Sequence, residues 1–302
     1  MSAPFGERLA RAVGARETNV VLGLDPDPRR LWPDGLGAAG DGPAEERLAR
    51  AVLAHCRLVV DAVAPAVVAV KPQVACFERL GAQGRTVLGA VCDHARARGL
   101  LVLADAKRGD IDVSARAYAE AFLGATDTPW GPVAGLGADA LTANPYMGAD
   151  TLAPLLEVAR PHGRGLFVLV RTSNPGAADV EDLPTAPGGE PVWARVAGLV
   201  AALADPAHAL SDVGAVVGAT TPEHLARLRV LMPRTPFLLP GVGAQGGQVE
   251  ALAPAWIPGP AGGLVTASRS IVRAHEAQGG APAVAARAEA ERLRAAAWAL
   301  AA

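Results

Sequence analysis

Leu100-Leu101-Val102-Leu103-Ala104-Asp105-Ala106-Lys107-Arg108-Gly109-Asp110-Ile111 is an apolar run that ends abruptly in charge, and its reading decides the fold. A run without in/out alternation is expected of a parallel strand covered on both faces. Working outward, runs of the same kind recur over Asn19–Asp25, Ala66–Lys71, Ala138–Ala143, Gly165–Arg171, Val213–Gly218, Pro236–Pro240 and Gly263–Ala267. Helical text separates them, over Ala44–Val63, Arg85–Arg98, Val113–Leu123, Thr151–Ala159, Val192–Leu203 and Pro222–Leu231, and a terminal helix over Ala281–Leu300 reads as solvent-facing. Thr221-Pro222-Glu223 marks one helix start, with a cap residue before proline and then an acid. Eight β/α units predict an α/β fold of the (β/α)8 TIM-barrel kind, rather than an open doubly wound sheet, as a single domain over residues 1–302. Segments 174–191 and 246–262, rich in Gly and Pro, read as long βα-loops, the second as a lid; the helix after strand seven is short and poorly marked.

Bulk properties fit one large core: the chain has 302 residues, 51% of them hydrophobic. With 28 basic and 30 acidic residues, a net charge of −2 offers no polycationic face, which argues against nucleic acid as a partner. The segment Met1–Arg16 mixes Glu7, Arg8, Arg11 and Arg16 with apolar residues, so it reads as a short leading helix, with no membrane span, in a cytoplasmic protein. Cys56, Cys76 and Cys92 are odd in number and suit neither a disulfide framework nor a zinc site. His55 and His94 lack further ligands at metal spacing, so no metal is expected, and no cofactor motif is visible.

In a barrel, chemistry belongs at the C-terminal ends of the strands. Strand one ends in Asp25, strand two in Lys71, strand three in Asp105, Lys107 and Asp110, and strand five in Arg171-Thr172-Ser173-Asn174. The two-residue period of a strand aims Asp105 and Lys107 to one side, where carboxylate and ammonium become neighbours. An ordinary surface salt bridge is the bland alternative; repeated opposite charges at one rim argue for a ligand instead. Pro240-Gly241-Val242-Gly243-Ala244-Gln245-Gly246-Gly247 follows strand seven and Ser268-Arg269 follows strand eight, where barrels bind phosphate: glycines admit backbone N–H groups and an arginine fork adds paired donors.

These residues resemble the orotidine monophosphate decarboxylases, in the branch with longer chains. Asp105-x-Lys107-x-x-Asp110-Ile111 is similar to that family's signature. So, in order, are Gly23-Leu24-Asp25-Pro26-Asp27-Pro28, Lys71-Pro72, Thr142-Ala143-Asn144-Pro145-Tyr146-Met147-Gly148, Arg171-Thr172-Ser173-Asn174-Pro175-Gly176, the glycine-rich run and Ser268-Arg269-Ser270-Ile271. The resemblance implies that Asp25 and Lys71 hold the ribose hydroxyls and that Asp105 and Lys107 face the reacting carbon. It also implies that Ser173 reads the pyrimidine edge, that Gln245 and Arg269 grip the phosphate, and that Asp110, Ile111 and Ser114 reach into the neighbouring site of a homodimer. One departure stands out: where the family commonly has a glycine and then a threonine, this chain has Asp112 and Ser114.

The implied reaction is cofactor-free decarboxylation of orotidine 5'-monophosphate to UMP and CO2, with Lys107 stabilising and protonating a C6 carbanion. Asp105 would crowd the departing carboxylate, and Lys71 and Asp110 would keep the charges alternating. Two other readings compete: a metal-dependent sugar-phosphate aldol-type enzyme on the same barrel, and a non-catalytic nucleotide-binding barrel. A Schiff-base role suits Lys107 poorly, because flanking carboxylates favour its protonated form.

Overall fold

The computed structural model describes residues 2–187, 189–243 and 245–302; Gly188, in the loop 174–191, and Ala244, in the glycine-rich run, lie outside the described residues. The barrel strands are β1 (Val20–Leu24), β2 (Ala69–Pro72), β3 (Leu101–Arg108), β4 (Ala140–Ala143), β5 (Gly165–Arg171), β6 (Val213–Val217), β7 (Phe237–Pro240) and β8 (Gly263–Ala267). Each pairs in parallel with its sequence neighbours, and β8 returns to β1, so the sheet closes as the apolar runs predict.

Inside the sheet, Val21, Leu103, Ala140, Phe167, Val216, Leu238 and Leu264 fill the barrel axis. Helix α1 (Phe5–Arg16) closes the end where the strands begin: its Phe5, Leu9 and Val13 join that interior cluster, and Phe5 meets Phe167 edge-on at 5.9 Å between ring centroids. The opposite end, where the strands finish, stays open. Outside, helices α2 (Ala44–Val63), α3 (Ala82–Ala97), α4 (Asp112–Leu123), α5 (Ala153–Ala159), α6 (Val192–Leu203), α7 (Leu225–Leu231) and α8 (Pro282–Ala301) cover the strands. Helix α8 differs from its sequence reading. Ala286, Ala290, Leu293 and Ala297, at helical spacing, form a buried stripe, so one face packs against the barrel's outer core.

Segment 246–262 also differs from its reading as a lid. Residues Val249–Trp256 form a 3-10 helix with Val249, Leu252, Ala255 and Trp256 buried, standing where the unit after β7 needs cover. Arg229 of α7 pins it: Nη2 donates to Ala255 O at 2.6 Å and Gly262 O at 3.0 Å, while Nη1 donates to Met232 O at 2.9 Å and Thr235 O at 2.8 Å. The guanidinium also lies over the Phe237 ring, 3.8 Å from its centroid. Burial pulls its pKa down to about 10. The charge is thus satisfied by carbonyls and a ring face rather than by a carboxylate.

His55 is structural, as read: it is buried, its pKa pulled down to about 4 by burial, and its neutral ring accepts the Trp32 N–H at Nδ1, 3.0 Å away. Cys56 and Cys92 are buried free thiols, and burial raises both pKa values, Cys92 to about 12, which keeps them unreactive. Among the described residues, no helix is long and apolar enough to cross a membrane. Arg229→Ala strands four buried carbonyls and is expected to lower unfolding stability by about 3 kcal/mol in urea melts.

Candidate active site

The parallel pairing of β2 with β3 carries Lys71 to one flank of Asp105, and the bridge between Gln73 and Asp105 continues that register beyond the strand end. Lys71 Nζ donates to Asp105 Oδ2 at 2.6 Å, and Lys107 Nζ donates to Asp105 Oδ1 at 2.6 Å. Two neutral donors complete the clasp, Thr142 Oγ1 to Oδ1 at 3.0 Å and Gln73 Nε2 to Oδ2 at 3.2 Å. With only 6% of its surface exposed, Asp105 is penalised as an anion by burial. Lys71 and Lys107 outweigh that penalty and pull its pKa from an ordinary 3.8 down to about 2. Burial likewise opposes the Lys71 ammonium, yet Asp105 and Asp25 prevail and hold its pKa above the usual lysine value.

Lys107 reaches Asp105 as the strand period predicts, but not by regular pleating. The β3–β4 register shifts between Ala104 and Arg108, and Lys107 takes φ +48°, a left-handed conformation unusual for a side-chain-bearing residue. Its N–H is held by Thr142 Oγ1 at 2.8 Å, and Arg108 O accepts the Asn144 N–H at 2.8 Å beyond it. Such strain persists only where surrounding structure fixes it, and here both braces come from β4 and the turn after it. The Lys107 side chain is 44% exposed in the single chain, open toward the mouth.

Asp25, Lys71, Asp105, Lys107, Ser173, Gln245 and Arg269 all border one cavity of about 480 Å³ at the open end of the barrel, within the range of small-molecule sites. Lys71, Asp105 and Thr142 form one side, while Gln245, Ser268 and Arg269 stand on the far side, in the loops after β7 and β8. The glycine-rich loop turns through positive φ at Gly241 (+103°), Gly243 (+76°) and Gly246 (+90°), conformations that favour glycine. On the wall after β5, Ser173 is held by its neighbours: Thr220 Oγ1 donates to Ser173 O at 3.2 Å, and a Cβ at Gly218 would lie 2.8 Å from Ser173 Cα.

Arg171, placed at the mouth by the sequence reading, instead turns away to tie down the following loop. It is buried and forks onto Asp182 at 2.8 and 3.0 Å. Glu181 accepts the Thr172 N–H at 2.8 Å and its hydroxyl at 3.0 Å. Glu181, Gln73 and Thr266 border the cavity without having been singled out: Glu181 lies in loop text, Gln73 two residues past Lys71 on the same strand period, and Thr266 inside an apolar run.

Asp110, Ile111 and Ser114 do not border this cavity. Asp110 Oδ1 accepts the Ile111 N–H at 2.8 Å, and the start of α4 presents Ile111, 54% exposed, and Val113, 83% exposed, to the outside. Asp112 adopts φ +43°, which gives the physical reason a glycine suits this position; aspartate is among the few other residues that tolerate it.

The profile of the orotidine 5'-phosphate decarboxylase / HUMPS family matches residues 18–284. The orotidine 5'-phosphate decarboxylase of Rhodopirellula baltica is 41% identical over 278 residues, covering 90% of this chain and 89% of that one. The enzyme of that name from Deinococcus radiodurans is 41% identical over 276 residues, covering 90% of each. Among solved structures, a putative orotidine 5'-phosphate decarboxylase from Streptomyces avermitilis superposes with a TM-score of 0.76 at 37% identity, covering 98% of this chain and 96% of the other.

Two stability measurements check the local geometry. A carboxyl whose folded pKa is depressed stabilises the protein fully above its unfolded value, so the contribution of Asp105, about 2 kcal/mol, should vanish as pH falls from 3.8 toward 2, and acid melts of wild type and Asp105→Asn should converge over that window. At position 112, Asp112→Gly should leave the melting temperature unchanged or raise it, whereas Asp112→Val should lose about 1–2 kcal/mol.

Proposed function

The chain belongs to the orotidine 5'-phosphate decarboxylase / HUMPS family, and from that premise we propose that it converts orotidine 5'-monophosphate to UMP and CO2 in pyrimidine biosynthesis. The observation that carries this reading within the family is the clasp of Asp105 between Lys71 and Lys107, in the cavity that Gln245 and Arg269 border on the far side. A divalent-cation aldol mechanism would want free carboxylate oxygens. Both oxygens of Asp105 are instead taken by ammonium groups, an arrangement that repels a further cation.

In the proposed reaction, the bond from C6 to the carboxylate carbon breaks, CO2 leaves, and the electron pair stays on C6. The Lys107 ammonium faces the growing charge and then donates its proton there, giving UMP. Asp105 repels the substrate carboxylate before the bond breaks and is relieved as neutral CO2 departs. Asp25 and Lys71 hold the ribose, Ser173 hydrogen-bonds the pyrimidine edge, and Gln245 and Arg269 take the phosphate. A single charge pair at 4 Å supplies about 4 kcal/mol at an effective dielectric of about 20. Difficult reactions require roughly 8 to 23 kcal/mol. Binding energy from phosphate and ribose therefore has to be spent on orienting the substrate against the charged row.

The same reading makes the protein a homodimer with shared sites. Asp110, Ile111 and Ser114 cannot serve their own cavity from outside it, and the exposed apolar start of α4 is the surface a second copy would cover. Asp110 then completes the partner's charge alternation beside Lys107. Buried free thiols suit a reducing, cytoplasmic setting.

Spectrophotometric turnover of orotidine 5'-monophosphate tests the activity: wild type should yield UMP, and Lys107→Ala should fall by about 10³-fold or more in kcat, whereas a wild type that yields none would overturn it. Arg269→Ala should lose far more kcat/KM than thermal stability. Mixing inactive Lys107→Ala with inactive Asp110→Ala should restore about a quarter of wild-type activity, since half the random dimers carry one intact site of two; no recovery would contradict shared sites.

A further inference from the structure

We propose that Arg108 is a positioning residue for Lys107: its guanidinium, anchored outside the barrel, fixes the strained peptide that aims the Lys107 ammonium into the cavity. The inference rests on the reading above that Lys107 performs the chemistry.

Lys107 takes its left-handed φ of +48° at the end of β3, where the ladder to β4 shifts register. The peptide unit between Ala106 and Lys107 sets where the ammonium stands, because a rotation of that unit swings the whole side chain. Both ends of the unit are held. Thr142 Oγ1, beside the cavity, accepts the Lys107 N–H at 2.8 Å. Arg108 Nη1 folds back to donate to the Ala106 carbonyl oxygen at 3.3 Å.

Two other units of the barrel keep the guanidinium in that place. Its Nη2 donates to Glu78 Oε1, at the end of the short helix Val74–Glu78 that follows β2. Its Cζ lies 5.3 Å from the centroid of the Tyr118 ring and 5.6 Å from that of Phe122, both on α4 and within cation–π range. The Arg108 carbonyl in turn accepts the Asn144 N–H at 2.8 Å, just past β4. One residue thus ties together the units after β2, β3 and β4, directly beside the lysine. An ion pair whose carboxylate is 51% exposed adds little to stability. Its use lies in the turn it clamps. A left-handed residue with a side chain persists only while its surroundings over-determine it. Without the guanidinium the Ala106–Lys107 peptide keeps one hold of two, and the ammonium moves from its station. A displacement of about 1 Å at a reacting group costs on the order of 10²-fold in rate.

Arg108→Met tests this, since it keeps an apolar stem against Tyr118 and Phe122 but removes the donors; Glu78→Ala removes the anchor at an exposed position. Arg108→Met should lower kcat for orotidine 5'-monophosphate by about ten- to hundredfold, and Glu78→Ala by about threefold or more. The dissociation constant for ribose 5-phosphate, which lacks the base, should stay within about twofold in both. Added to Lys107→Ala, Arg108→Met should cost less than about twofold, because no ammonium is left to aim. An unchanged kcat in Arg108→Met, or the same loss in the Lys107→Ala background, would overturn the proposal; should Arg108→Met not fold, an unchanged kcat in Glu78→Ala does so. Hydrogen exchange of the Lys107 amide reads the clamp without turnover and should quicken by about tenfold in Arg108→Met. A wild type that fails to turn over orotidine 5'-monophosphate would bring down the activity alone, whereas unchanged exchange would bring down the clamp.

Discussion

Asp105 carries the organisation of this site, because a carboxylate so deeply buried can stay ionised only while cations hold it. Lys71 from the neighbouring strand and Lys107 from its own strand end meet its two oxygens, each at 2.6 Å, and Thr142 and Gln73 occupy what remains. The dependence runs both ways. The carboxylate keeps Lys71 charged against burial, and it points the more exposed Lys107 ammonium at the space a substrate enters. Removing Asp105 would leave the buried Lys71 ammonium without its hydrogen-bonded counter-charge in a medium of low dielectric, and removing either lysine would take away one of the two cations that keep Asp105 ionised, which is why their effects should not be separable.

The rest of the barrel serves to hold this row still. Adjacent parallel strands set the spacing of Lys71 and Asp105, and Thr142 from β4 braces both Asp105 and the strained turn at Lys107. On the opposite side, Arg171 and Glu181 tie the loop after β5 so that Ser173 has a fixed wall behind it. Arg229 fixes the 3-10 helix over Val249–Trp256, beside Gly241 and Gly243, which turn the chain at the cavity.

Much of this was legible in the sequence, for identifiable reasons. Strands buried on both faces advertise themselves as apolar runs, and the run ending at Asp105 gave both a strand and the shared side of Asp105 and Lys107. The place of the glycine-rich loop and Arg269 at the cavity was legible because they follow the last two strands of a barrel, whose strand ends form the mouth. Val249–Trp256 was not: Pro254 and the surrounding glycines hide a 3-10 helix whose stability comes from Arg229, distant in sequence. Arg171 read as a charge at the mouth because its partners, Asp182 and Glu181, are set by the path of a loop.

If Asp105 and Lys107 act as one electrostatic unit, their contributions to catalysis overlap almost entirely. The most direct measurement is a double-mutant cycle on kcat/KM for orotidine 5'-monophosphate with Asp105→Ala, Lys107→Ala and the pair. The account predicts a double variant scarcely slower than the slower single one. Losses that simply multiply would show two independent residues and contradict it.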